Sequence, residues 1–398
     1  MNASAVRVVE SLADISADEW DACANPGGTI PYQPFLRHAF LLALETSGSA
    51  TTETGWQPAH LLLGGATTDA PVRGVVPMYL KGHSQGEYVF DHAWADAWRR
   101  AGGRYYPKLQ ICVPFTPAPG RRFLARENDD ATRLALANAA VGVARDNGVA
   151  TVHATFVSEQ EWNLLPQASY LQRMDQQFHW HNPGYHQFDD FLADLASKKR
   201  KNLKRERRDA LANGIEVEWV TGSDLREHHW DAFYRFYLDT GSRKWGSPYL
   251  TREFFSLVSA AMPDDILLIL CKRAGRYIAG ALNFIGSDTL YGRNWGCIED
   301  HPFLHFETCY YQAIDFAIAR GLRRVEAGAQ GGHKVVRGYL PEPTYSVHWI
   351  GHDGFRDAVS RYLDDERAYV TRDIEAIEAA GPFRSDLDLS RLRGSPLV

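Results

Sequence analysis

The stretch Ile266-Leu-Leu-Ile-Leu-Cys-Lys-Arg273 runs through Ala274-Gly275 into Tyr277-Ile-Ala-Gly-Ala-Leu-Asn-Phe-Ile285, then through Gly286-Ser-Asp288 into Leu290-Tyr-Gly-Arg-Asn-Trp295. Its aliphatic opening suits a strand covered on both faces. The interruptions are short and made of residues that reverse a chain. The stretch therefore predicts an antiparallel meander of three strands. After it the period changes. Phe306, Tyr310, Ala313, Ile314, Ala317 and Ile318 recur at three- and four-residue spacing, which predicts a helix closed by Gly321. Short strands are predicted at 324–326 and 344–350.

Before the meander, residues 188–213 predict one long helix that stops at Asn213-Gly214. Phe188, Phe191, Leu192, Leu195, Leu203 and Ala210 share one face. Arg200, Lys201, Lys204, Arg205, Arg207 and Arg208 fall on the other. A second amphipathic helix carries Leu225, Trp230, Phe233 and Tyr237. Residues 355–379 predict a charged amphipathic helix, and the chain from Pro382 is expected to be loosely ordered.

The first half repeats the order of the second. Strands are predicted at 59–63, 72–80 and 88–90, with turns at Thr67-Thr-Asp69 and 82–86. A helix at 134–144 and a strand at 151–157 follow. Gly74 and Gly280 occupy matching places in the two meanders. The chain has 398 residues, which suits two domains rather than one. The boundary is placed near Ser169, where no flexible linker intervenes.

A net charge of -6 excludes a protein that is basic all over, so nucleic acid would have to meet a local patch. Five scattered cysteines without a Cys-x-x-Cys pair argue against a disulfide framework or zinc ribbon. No metal is expected. The N-terminus lacks a signal pattern, and no apolar run approaches the ~20 residues that span a bilayer. A cytoplasmic protein without a membrane span is the expectation.

Chemistry concentrates in Gly328-Ala-Gln-Gly-Gly-His-Lys-Val-Val-Arg-Gly-Tyr339. Gly328, Gly331 and Gly332 let backbone approach a ligand, and Lys334 and Arg337 supply cations for phosphate. The spacing is not that of a Walker loop. Alone, the segment reads as either a ligand loop or a glycine-rich turn with solvated charges. His179-Trp-His181 with His186 is read as a solvated loop rather than a metal site. Asp91-His92-Ala-Trp94 is read as a helix start capped by Asp91.

This loop, after a Val-Glu strand, resembles the signature that closes the second GNAT module of Fem-like transferases. Lys198-Lys-Arg-Lys-Asn-Leu-Lys-Arg-Glu-Arg-Arg208 is similar to the basic helix before their second meander. The segments 291–296 and 305–312 resemble a predicted bacterial N-acyltransferase group of that branch. The resemblance covers most of the chain, with its motifs between about Lys198 and Tyr345. It implies an α+β fold of tandem GNAT-like modules, each a mostly antiparallel mixed sheet flanked by helices: an N-terminal module over 1–170, and a C-terminal module over 171–398 with the basic helix 188–213. It implies acyl or aminoacyl transfer to an amine acceptor, a small molecule or a cell-wall peptide precursor. The co-substrate would be acyl-CoA or aminoacyl-tRNA, with no tightly bound cofactor.

By that resemblance Lys334 holds phosphate or steadies the transition state. Glu307, Glu326, His333 and His305 are candidate bases. Arg337, Gly331, Gly332, Arg293, Asn294 and Trp295 are candidates for donor or acceptor binding, and Lys201, Lys204, Arg205 and Arg208 for a polyanion such as tRNA. Two departures stand out. The Arg-x-x-Gly-x-Gly/Ala loop of acetyl-CoA enzymes is replaced by Asp300-His-Pro-Phe-Leu-His305. The paired helical arm of the peptidoglycan ligases is also missing. A non-catalytic GNAT-like protein that binds a glycan-peptide or nucleotide is the alternative.

Overall fold

The computed structural model describes residues 6–65, 71–244, 248–328 and 331–393, with the side chains of 242–244 left aside. Met1–Asp175 with Pro343–Arg372 form one compact unit, and Gln176–Glu342 with Asp373–Val398 a second. The expected boundary at residue 170 divides the chain differently, because 343–372 clusters with the first unit.

In the first unit β1 (Val6–Val9), β3 (His60–Gly64), β4 (Val72–Val76) and β7 (Leu124–Ala125) form one sheet in the order β1-β3-β4-β7. A second set runs β2 (Trp56–Pro58), β5 (Met78–Lys81), β6 (Lys108–Ile111), β8 (Thr151–Val157). Beyond β8 it continues with the C-terminal part of the strand Leu340–Ile350. The strand expected over 72–80 is broken by Pro77, which has no N–H for a ladder; the chain changes sheets there. Residues 88–90 are not a strand, and Lys108–Ile111 takes that place instead. The reason lies in the inward turn of Ser84, Glu87 and Asp91, which are buried. The turn at Thr67–Asp69 lies outside the described residues.

β6 pairs antiparallel with β5 and parallel with β8. The helix Asp130–Asp146 makes the crossover, with Asp129 capping the Thr132 N–H at 2.7 Å. Alternation gives this sheet two different faces. Leu109, Ile111, Val152, Ala154, Val347 and Trp349 pack in one core with Leu136, Ala137 and Ala140 of that helix. The other face is polar yet buried: Lys81, Lys108, Gln110, His153 and His348. There Lys108 Nζ donates to Ser84 Oγ (2.8 Å), Glu87 Oε2 (2.7 Å) and Asp91. Asp91 stands at the start of the helix His92–Arg100 without capping its backbone. Its carboxylate takes Lys108 and the Tyr105 hydroxyl (2.7 Å) instead.

The second unit carries the predicted meander. β9 (Leu171–His181), β10 (Ile215–Thr221), β11 (Ile266–Arg273), β12 (Arg276–Ile285), β13 (Thr289–Cys297) and β14 (Arg324–Glu326) lie in the order β10-β11-β12-β13-β14-β9. All neighbours are antiparallel except β13 and β14. The helix over 304–319 crosses between that parallel pair and contains a π turn at Glu307–Tyr311. Its Ile314, Phe316 and Ala317 join Leu267, Ile269, Ala281, Leu290 and Val325 in one core. Meander, crossover helix and parallel strand thus occur in both units, the tandem GNAT-like α+β arrangement expected.

The single basic helix expected over 188–213 is two helices, Phe188–Asp194 and Ser197–Ala210. Leu195 between them is extended (ψ 148°) and bridges to Phe383. The Ala196 N–H is taken by Pro382 O at 2.9 Å. That contact also corrects the expectation of a loose chain from Pro382 as far as Arg393; residues 394–398 lie outside the described residues. Leu392 is buried, and Arg393 Nε donates to Glu342 at 2.6 Å. Among the described residues, no helix is long and apolar enough to cross a membrane.

Candidate functional site

β13 and β14 are paired only at Thr289–Arg324, Leu290–Val325 and Tyr291–Glu326. Beyond that the strands part. The register shift of β12 against β13 between Leu282 and Asn283 bends β13 at the same level. Gly292 sits at the fork. A Cβ there would stand 3.2 Å from Glu326 O and 3.4 Å from Asn283 Oδ1, so glycine keeps the wedge clear. A cavity of about 100 Å³ fills it, lined by Ala281, Leu282, Asn283, Gly292, Arg293, Asn294, Trp295, His305, Cys309, Tyr310 and Ala327. A neighbouring groove of about 410 Å³ shares Trp295 and His305 and adds Thr240, Cys297, Glu299, Asp300, His301 and Leu304. Hydrogen bonds from Arg273 (2.8 Å) and His301 (3.0 Å) hold the Glu299 carboxyl down at about 2, and Asp300 is the second carboxylate of the groove's lining.

The wedge gathers four expected residues, Arg293, Asn294, Trp295 and His305. The turn Gly332–Arg337 carries four more beside it, Gly332, His333, Lys334 and Arg337. Lys334 is 1% exposed, and its Nζ donates to Gly328 O at 2.8 Å. Burial pushes its ammonium down to about 8. His333 is exposed, and its Nε2 meets the hydroxyl of the cavity residue Tyr310 at 2.8 Å. Gly331 has φ 116°, and a Cβ there would strike the His333 ring at 2.5 Å. Arg337 is not a free cation. It is buried, pairs with Glu206 at 3.0 Å and lies 3.4 Å over the Phe306 ring. Ala329 and Gln330 of this loop lie outside the described residues.

Two expected carboxylates lie apart from the cavity lining. Glu326 is 4% exposed, and burial, opposed by Arg324 at 3.6 Å, pushes its carboxyl up to about 7. Its Oε2 has no partner, and its strand neighbour on β9 is His179. Glu307 is fully buried in the π turn. Its oxygens accept from Arg207 Nε (3.1 Å), Arg207 Nη2 (2.8 Å) and Gln312 Nε2 (2.8 Å). Arg207 therefore points inward, also reaching Asp315 at 2.6 Å, and is not part of the outward row read from the helical wheel. Lys201, Lys204, Arg205 and Arg208 are exposed as expected, with Lys204 near Asp189 (3.0 Å) and Arg208 on Asp209 (2.8 Å). Their helix packs on both the π turn and the Gly332–Arg337 turn.

His179 and His181 lie on a buried strand, not on a solvated loop, and His181 Nε2 meets Glu342 at 2.9 Å. Among the described residues, no cluster of His, Cys, Asp or Glu could hold a metal ion. Asn283 was not singled out in the sequence. It is 1% exposed, its Nδ2 faces Leu267 O and Ala281 O, and its Oδ1 is unpaired at the cavity. A lone amide within the apolar strand Tyr277–Ile285 was its available signal.

Among the described residues, the corresponding fork of the first unit is filled. Past Ile111–Ala154, the last β6–β8 pair, Arg122 Nε takes Thr155 O (3.0 Å) and the Gly120 N–H takes Phe156 O (2.9 Å). Its own chain occupies the fork.

A family model described as FemAB-like, peptidoglycan biosynthesis/recognition, matches residues 11–385. Among solved structures the chain is similar to FemX, with 13% identity, coverage of 87% of this chain and 98% of that one, and a TM-score of 0.55. It is also similar to the C-terminal domain of a putative lysylphosphatidylglycerol synthetase from Agrobacterium fabrum (8% identity, 89% and 97% coverage, TM-score 0.50). A third is a tandem GNAT protein from the clavulanic acid biosynthesis pathway (10%, 88% and 99%, TM-score 0.43). At such identities the likeness is one of fold. No curated protein matches significantly.

Proposed function

The chain belongs to the FemAB-like family, and from that membership we propose that it is an N-acyltransferase working at the wedge of its second unit. The observation that carries this reading is the fork held open by Gly292, with a buried Lys334 on the adjoining turn. An acyl carbonyl seated where parallel strands part meets main-chain N–H groups, and a fixed cation nearby steadies the oxyanion that forms on attack. The amine acceptor loses a proton as the C–N bond forms. His333, coupled to the cavity through Tyr310, is the group poised for it, whereas Glu326 lies apart from the cavity lining. Both Glu307 oxygens are engaged, so we assign it to holding the π turn rather than to proton transfer.

For the donor we favour aminoacyl-tRNA over acyl-CoA. The groove at the start of the crossover helix presents Glu299 and Asp300 where a pyrophosphate would need donors and cations. The exposed row Lys201, Lys204, Arg205 and Arg208 offers a polyanion a surface beside the site. The family's description makes a peptidoglycan precursor peptide the acceptor to try first. The test is transfer from a pool of aminoacyl-tRNAs, and separately from acetyl-CoA, to the amine of a muramyl peptide, read by mass spectrometry. Binding of that peptide without acyl transfer from either donor would leave the non-catalytic reading.

A further inference from the structure

The wedge contains a thiol that acyl transfer by direct attack does not use. Of the five cysteines, Cys23, Cys112 and Cys271 are buried, and burial pushes their thiols up to about 11, about 12 and about 12. Such groups are poor nucleophiles. Cys297 and Cys309 are half-buried, and Cys309 alone of the five lines the cavity at the fork. His305 precedes it by four residues on the same helix and lines the same cavity. The buried ammonium of Lys334 lies near enough to feel the thiol. Independently of the thiol, the buried Asn283 lines this cavity, and its unpaired Oδ1 stands 3.4 Å from where a Cβ on Gly292 at the fork would sit. Its Nδ2 faces two backbone carbonyls, which leaves Oδ1 as an acceptor for a hydrogen brought in by a ligand.

We propose that Cys309 is a covalent nucleophile, activated by His305, that carries the acyl group as a thioester before the amine receives it. The inference rests on the acyltransferase reading. In the first step the thiol proton passes to the His305 ring. The sulfur attacks the acyl carbon, the S–C bond forms, and the bond to the leaving group breaks as that group takes the proton from His305. In the second, the amine nitrogen attacks the thioester carbon. The N–C bond forms, the S–C bond breaks, and the amine's proton returns through His305 to the thiolate. Nothing is oxidised or reduced. Asn283 Oδ1 receives an N–H of the incoming amine and orients its lone pair.

The test begins with acyl transfer by the wild-type chain, so that the wider reading is judged first. The chain is then mixed with p-nitrophenyl acetate as the acyl probe. One equivalent of p-nitrophenolate should appear in a burst, and peptide mapping should find one acetyl group, labile to hydroxylamine, on Cys309. Cys309→Ala should lose the burst and the transfer activity. Cys309→Ser should lose the burst while preserving the side chain's size. His305→Gln should slow the burst by about 10²-fold or more, the usual worth of a positioned base. Absence of an adduct on wild-type Cys309, or an acetyl group elsewhere, overturns the proposal. So does a Cys309→Ala chain that transfers the acyl group at the wild-type rate, a result that leaves the acyltransferase reading standing. The wild-type adduct does not depend on any variant folding.

Discussion

Replacing Arg207 by methionine should destabilise the second unit strongly. Glu307 has no exposed side-chain surface, whereas Arg207 keeps 22% of its own. Removing the guanidinium deletes three charge-assisted hydrogen bonds, two of them to Glu307, and leaves that buried carboxylate with Gln312 alone. Stranding one partner of a buried pair costs about 3–5 kcal/mol, and the partial exposure of Arg207 places this case at the lower end. About 3 kcal/mol lowers the melting temperature of a unit this size by roughly 6–12 °C. Glu307→Gln should cost less, because Arg207 keeps Asp315 at 2.6 Å. The double variant Arg207→Met/Glu307→Leu should recover much of the loss, since no buried charge is left unpaired. Thermal melts followed by circular dichroism measure all three. An Arg207→Met chain that melts within a degree or two of wild type would refute the argument. A Glu307→Gln chain that folds normally but loses all transfer would return Glu307 to the chemistry.

Lys334→Met should lower transfer by two orders of magnitude or more with little loss of stability, because it removes a buried cation along with one hydrogen bond; a chain that keeps full turnover refutes the role given to Lys334. Because burial holds this ammonium at about 8, its charge and the transfer rate should fall as pH rises through that value, as a pH–rate profile would show. In the first unit, Lys108→Met leaves the buried Asp91 without its cation and Glu87 with Lys81 at 4.0 Å, and should cost about 3–5 kcal/mol at neutral pH. Urea titration should find a smaller penalty once acid neutralises the carboxylates. If a tRNA engages the exposed cations, log K should fall steeply with log salt, by about 0.7 per RNA phosphate neutralised. Lys201→Glu/Arg205→Glu should flatten that slope, and an unchanged slope removes these residues from the interface.

The meander from Ile266 was legible because buried aliphatic runs and Gly-containing turns are local signals. The third strand of the first unit was not. Tyr88-Val-Phe90 has strand composition, but the inward turn of Glu87 and Asp91 toward Lys108 is a tertiary preference invisible along the chain. The break at Leu195 escaped for the same reason, because its cause is Phe383, far away in sequence. The loop with Lys334 could be found from its glycines and cations, yet its lysine is buried rather than solvated. A helical wheel placed Arg207 outside, since it cannot foresee a carboxylate such as Glu307 at the inner edge of a neighbouring turn. Asn283 is detectable as a polar residue in an apolar strand, but its unpaired oxygen exists only once the bulge has opened the fork.

Transfer of an acyl group to an amine at the fork kept clear by Gly292 can be read directly. The most direct measurement is the mass spectrum of a muramyl peptide after incubation with aminoacyl-tRNAs or acetyl-CoA, using wild type and a folded Gly292→Val chain. A valine there would place its Cβ 3.2 Å from Glu326 O and drive its methyls into the cavity. Wild type should add one acyl mass to the peptide and Gly292→Val none. No acyl gain with either donor, or the same gain from both chains, would contradict transfer at the fork.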